Sequence, residues 1–141
     1  VERWGRLAWR LGVSVWLGTI FFLFVGIGPH VFTVLPASEA GHLVDAIFPV
    51  YDAEGLVFGA LMILGALLLL GSRRDERRWV LVGVAIVNWL LAWASEATLR
   101  AMQHLEAGAP RFHQLHAESV IFSVAMFLLV LFGLIWDVLS L

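Results

Sequence analysis

Residues 67–93 read LLLLGSRRDERRWVLVGVAIVNWLLAW: an apolar run, the one dense charge run of the chain, and a second apolar run. The charged segment, Ser72 to Arg78, is too short to be a domain. It stands directly between two segments long enough to cross a bilayer, since about 20 apolar residues span the hydrocarbon core as a helix. Outward from this hairpin, the second span covers about 51–71 and the third about 79–103. A first span at about 7–35 lies behind Arg3, Arg6 and Arg10, and a fourth at about 113–139 follows a turn with Gly108 and Pro110. The sequence therefore predicts an all-α integral membrane four-helix bundle, with residues 1–141 as a single four-span domain.

Composition agrees. Of 141 residues, 61% are hydrophobic and 14% charged, and mean hydropathy is +0.91. Soluble domains run at roughly 45–50% apolar and 25% charged, so an ordinary soluble globule, a disordered tail and a nucleic-acid binder are all excluded. There is no cysteine, which removes disulfide frameworks, thiolate metal sites and thiol catalysis. The first apolar stretch far exceeds the 7–15-residue core of a signal peptide and no small-x-small cleavage site closes it, so it is read as a retained helix, kinked by Pro29. Between the first two spans, Leu43 to Phe48 reads as a short interfacial helix halted by Pro49. Gly55 and Gly59 form a small-xxx-small pair that admits a neighbouring helix.

Charge is sorted along the chain. The N-terminal segment and the 72–78 run carry seven arginines, against Arg100 and Arg111 near the other side. Positive-inside counting puts both termini and the arginine loop in the cytoplasm, in what reads as a bacterial inner membrane. Trp4, Trp9, Trp79 and Trp136 suit the aromatic belt at that interface. Trp16, Trp89 and Trp93 lie deeper, where bulky aromatics usually just pack.

Polar side chains within a bilayer are costly, and those that occur form the functional shortlist. Here they gather in the outer half: His30, Asp52, Glu54, Ser95, Glu96, Arg100, His104, His113, His116, Glu118 and Ser119. Glu96 and Arg100 are four apart, the spacing of a helical ion pair. Such a pair either neutralises two charges at the membrane boundary or lets Arg100 orient a carboxylate that holds a cation or proton. His113 and His116 share one side of a helix, and Ser119 and Ser123 continue the His116 face. Together with carboxylates from facing helices they could ligate a metal ion, as in bundle metal sites; imidazole and carboxylate suit zinc, Cu(II) or iron. His30 could be an opposing ligand from the first helix, which would allow haem ligation by two histidines. The alternative is a solvated His113 and a His116 bonded to a carbonyl or to Glu54. Asp52 and Glu54 read as acids favoured by the helix dipole at the start of the second span, with Glu54 also able to point inward. His42 and His104 read as solvated loop residues.

Several segments together resemble a known family. Val15-Trp16-Leu17-Gly18, Leu35-Pro36, Gly41 and Phe48-Pro49-Val50-Tyr51 are followed by Ala101-Met102, Glu106 and Phe112-His113-Gln114-Leu115-His116-Ala117-Glu118-Ser119. This order resembles the transmembrane protein 205 family and its bacterial four-span relatives, over nearly the whole chain. The motif falls on Pro36, Phe48, Pro49, Tyr51, Met102, Glu106, His116 and Ser119. The chain departs from it at Ser123, where an asparagine is usual, and at Asp52, where an aromatic is usual. The family is distantly similar to the copper resistance D group and to HemJ-type haem-associated proteins, which are membrane bundles with functional histidines. The resemblance implies a four-helix membrane bundle and points toward metal handling.

The resulting expectation is a non-enzymatic membrane protein that binds a metal ion (copper, zinc or iron) or haem in its outer half. His116 is the main ligand, His113, Glu54 and His30 are its partners, and Glu96, Arg100 and Ser119 support them. The alternative is a non-catalytic accessory subunit, packed as a homo-oligomer or against a larger membrane complex.

Overall fold

The computed structural model describes residues 1–73, 75–106 and 108–140, and among these it is helical with no strand. Helix α1 covers Glu2–Phe21, a π-helical segment follows at Phe22–Ile27, and α2 continues over Gly28–Val34. Then come α3 (Ala37–Ser72), α4 (Glu76–Met102) and α5 (Pro110–Leu139). Four stretches are long and apolar enough to cross a membrane: Glu2–Val34, Ala37–Ser72, Glu76–Met102 and Pro110–Leu139. In hydrocarbon only a helix or a closed barrel satisfies every backbone polar group, which makes helices of these sequences. Helix α4 is started by Asp75, whose carboxylate accepts the Arg77 N–H at 3.2 Å. Helix α5 opens on Pro110, whose missing N–H costs nothing at that position.

Pro29 acts differently from a simple kink. It has no N–H for the carbonyl four residues back, and the preceding turn widens: the Gly28 N–H donates to the Leu23 carbonyl, five residues earlier. The span continues past it to Val34.

The separate interfacial helix expected at Leu43–Phe48 is corrected by the structure. These residues belong to the first turns of α3, which runs unbroken through Pro49. At 1.5 Å per residue α3 is about 54 Å long, well beyond the roughly 30 Å of hydrocarbon. Its first turns therefore extend beyond that thickness while still packing on α2: Ala40 is buried, and Ser38, Glu39, His42 and Asp45 are exposed. Proline removes one hydrogen bond, and ending the helix there would expose several more backbone groups.

The helices close into a ring in which α1 packs on α3, α3 on α4, α4 on α5 and α5 back on α1. Trp9, Val13, Trp16 and Ile20 form the inward face of α1, opposite Met62, Ala66 and Leu69 of α3 and Met126 and Val130 of α5. Trp9 is thus a core residue and not part of the interfacial belt; Trp4 and Trp79 are exposed as a belt requires. The closest approach is between α1 and α3. A Cβ on Gly65 would lie 2.4 Å from the Trp9 backbone nitrogen, and one on Gly12 would lie 3.0 Å from the Phe58 carbonyl oxygen. Gly55 and Gly59 serve another purpose: they make room for the rings of Trp16 and Trp89, at 2.7 and 2.9 Å from their would-be Cβ atoms.

Candidate intramembrane polar site

The α3 face that reads Asp52, Gly55, Gly59, Met62, Ala66 and Leu69 repeats every three to four residues and points to the bundle axis. Asp52 therefore enters the core with the apolar residues and is 2% exposed. The matching face of α4 carries Leu81, Ala85, Asn88, Ala92 and Ser95 inward. Where the two faces meet, the Ser95 hydroxyl donates to Asp52 Oδ1 at 3.0 Å. Asp52 Oδ2 is buried with no partner among the described residues.

Around this carboxyl stands a set of paired polar groups. The Tyr51 hydroxyl and the Ser123 hydroxyl of α5 are hydrogen-bonded at 3.1 Å. The Tyr51 ring lies 5.0 Å from that of Trp16 and meets Phe24 and Phe48 edge-on at 6.3 and 6.0 Å. Two turns below Ser95, the Trp16 indole N–H donates to Asn88 Oδ1 at 3.2 Å, leaving the buried Asn88 amide nitrogen without an acceptor. The Trp89 indole donates to the Leu56 carbonyl at 3.2 Å. Two of the deeper tryptophans thus pack and also hold hydrogen bonds between helices, whereas Trp93 is exposed on the lipid side. An unpaired buried polar atom costs on the order of 1–3 kcal/mol. Within one bundle, Asp52 offers a free acceptor and Asn88 a free donor.

The residues singled out from sequence are distributed differently. His116 is exposed, its ring parallel to Phe112 at 6.5 Å, while His113 meets the same ring edge-on at 6.2 Å. His30 is exposed near the start of α2, and His42 and His104 are exposed as well. Glu54 is half-buried and accepts the Thr19 hydroxyl at 3.0 Å, joining α3 to α1. Glu96 and Arg100 form the expected i,i+4 ion pair, largely open to the surroundings at Arg100. Ser119 donates to the His116 carbonyl at 2.8 Å, within its own helix. Among the described residues, no three His, Asp or Glu side chains are grouped to hold a metal ion. The polar stripe of α5 divides accordingly: Ser123 is buried on Tyr51, and His116, two turns nearer the helix start, is exposed.

The sequence suggests a dipole acid at Asp52 only if the second span begins beside it. Helix α3 starts at Ala37, about four turns earlier. The signal that identifies Asp52 is its phase with Gly55, Gly59 and Met62; likewise Ser95 is in phase with Asn88 and Leu81.

A second polar group closes the opposite end. Asp137, 3% exposed, receives Arg10 Nε at 2.9 Å and ties α5 to α1. Glu2 accepts from both Arg6 and Arg78 at 3.0 Å, and Arg78 also bonds the Ser72 hydroxyl and the Leu69 carbonyl.

Fold and site together define a polytopic α-helical membrane protein with a polar centre enclosed by its helices. The chain belongs to the family described as Domain of unknown function (DUF4149), whose model matches residues 11–110. Asp52, Ser95, Asn88, Tyr51 and Trp16 all lie in the matched region, as do the motif positions Pro36, Phe48, Pro49, Tyr51, Met102 and Glu106; Ser123, His116 and Ser119 lie outside it. No curated protein and no solved structure matches the chain.

Proposed function

We propose that this protein is a non-enzymatic, membrane-embedded cation-binding protein in which Asp52 holds a proton or a metal ion. The observation that carries the reading is the buried carboxylate with one oxygen on Ser95 and the other free. A carboxyl group at membrane depth is costly unless a cation or proton accompanies it, and such groups mark ion and proton sites. The bundle is oriented with its arginine end in the cytoplasm of a bacterial inner membrane, so Asp52 belongs to the outer half. The resemblance to transmembrane protein 205-like proteins, and more distantly to copper resistance D and HemJ-type bundles, leans the same way.

The test is to purify the protein gently, measure its metal content, and follow the carboxyl infrared band as pH is varied. A titrating carboxyl band or a stoichiometric metal, lost in Asp52→Asn, is the expected result. Identical spectra and no bound metal in both forms would overturn the proposal. Ligation of a metal or haem by His116, with His113, Glu54 and His30, is the other form of the same reading. A Soret band or a metal lost in His116→Ala, and kept in Asp52→Asn, would select it.

A second reading, an accessory subunit of a larger complex, is favoured by Gly18 and Gly83. Both are exposed within spans, with nothing within 4 Å of a would-be Cβ, which leaves room for a foreign helix. Purification from native membrane as a stable monomer would exclude it.

A further inference from the structure

We infer that the arginine flank of α1 is a binding site for the phosphate of an anionic glycerophospholipid. Arg3, Arg6 and Arg10 follow one another at helical spacing and line an open basin of about 580 Å³ together with Glu2 and Leu7. Arg6 is paired with Glu2, and Arg10 with Asp137. Arg3 forms no ion pair with any described residue and is exposed. The single carboxylate in the basin, Glu2, is already shared between Arg6 and Arg78. Positive charge is therefore in excess where the helix emerges from the bilayer. Guanidinium groups offer several N–H donors in a fork that fits phosphate oxygens.

What makes the ligand a lipid, and not free phosphate, is the adjoining flank. Trp4, Leu7 and Leu11 lie there at spacings of three and four, and all three are at least half exposed. They form an apolar strip beside the arginines on the same turns, and the exposed face continues inward through Gly18, Phe22 and Val25. A phosphodiester among the arginines would place its acyl chains along that strip. A second cavity of about 310 Å³ shares Glu2 and Arg6; its four arginines (Arg6, Arg73, Arg77 and Arg78) outnumber its acids Glu2, Asp75 and Asp137 by one, so the balance beside the basin is still positive. An anionic headgroup is favoured over a zwitterionic one because a choline or ethanolamine cation would meet this field. Basic segments at the cytoplasmic face, where anionic lipids concentrate, have this preference in general. The inference stands independently of the Asp52 reading.

The test uses the whole chain in nanodiscs of phosphatidylcholine containing a minority of phosphatidylglycerol, followed by native mass spectrometry of retained lipid. Wild type is expected to retain phosphatidylglycerol over phosphatidylcholine, with retention lowered at least threefold in Arg3→Gln and largely kept in Arg3→Lys. Arg3→Gln leaves the Glu2, Arg78 and Asp137 pairs in place, and circular dichroism checks that the fold is unchanged. Equal retention of both lipids, or no loss in Arg3→Gln, would overturn the site. Displacement of the lipid by millimolar inorganic phosphate would show a free-phosphate site and overturn it equally.

Discussion

Asp52 shows how much a single phase relation decides. Its one partner among the described residues is the Ser95 hydroxyl, so Ser95→Ala leaves a buried carboxyl with no hydrogen bond from them. The expected loss is about 1–3 kcal/mol, read as a lower midpoint in denaturant unfolding of the purified protein. Asp52→Asn removes the charge and keeps an acceptor for Ser95, so it should unfold later than Ser95→Ala. The reverse order would mean that the carboxyl is satisfied in some other way. Spacing alone does not reveal this pairing. The sequence places Asp52 and Ser95 in the outer half, but which serine meets which acid depends on the rotation of α3 against α4. The histidines illustrate the opposite case: HxxH spacing brings His113 and His116 to the same ring, Phe112, without turning either inward.

At the scale of the helix, the apolar runs and the charged hairpin were legible because the bilayer leaves the backbone few choices. Helix ends and close approaches were less so. Pro49 read as a stop, yet it lies inside α3. Its replacement by alanine restores an N–H for the Asp45 carbonyl and removes the ring clash, so Pro49→Ala is expected to stabilise the protein by about 1–3 kcal/mol. A lower unfolding midpoint would show that the proline shapes the helix for a purpose. The closest helix contact also escaped the motif. Gly65 is flanked at four residues by Leu61 and Leu69, so no small-xxx-small pattern marks it. Its importance comes from the Trp9 backbone, 56 positions away in sequence and 2.4 Å from a would-be Cβ. Gly65→Ala should therefore cost about 1–3 kcal/mol by forcing α1 and α3 apart. Gly71→Ala, which meets nothing within 4 Å, should be neutral or gain up to about 1 kcal/mol from helix propensity. Equal effects at the two positions would show that the α1–α3 contact is looser than drawn.

The whole molecule divides its polar chemistry between two ends, each with a buried acid: Asp52 on Ser95 and Asp137 on Arg10. The Asp137 pair also closes the ring, since it links the first and last helices. Arg10→Ala would strand a buried carboxylate. Because Arg10 itself is partly exposed, the cost should fall near about 1–3 kcal/mol, below that of a fully enclosed pair. Asp137→Asn should cost less, as Arg10 can turn to water or headgroups, and unfolding curves of the two variants compare them directly. The same asymmetry of charge fixes the expected orientation. Seven arginines lie toward one side against two toward the other, which favours retention of the crowded side in the cytoplasm. The chain contains no cysteine, so single replacements report on one location each without a background. Glu76→Cys, beside the arginine run, and Gly108→Cys, in the turn before α5, both alter exposed positions. In intact spheroplasts a membrane-impermeant maleimide should label Gly108→Cys and leave Glu76→Cys unlabelled until the membrane is opened. If the labelling is reversed, the arginine basin faces outward and Asp52 belongs to the cytoplasmic half. The bundle and its two acids would stand, but the cation we propose for Asp52 would then exchange with the cell interior and not with the space outside.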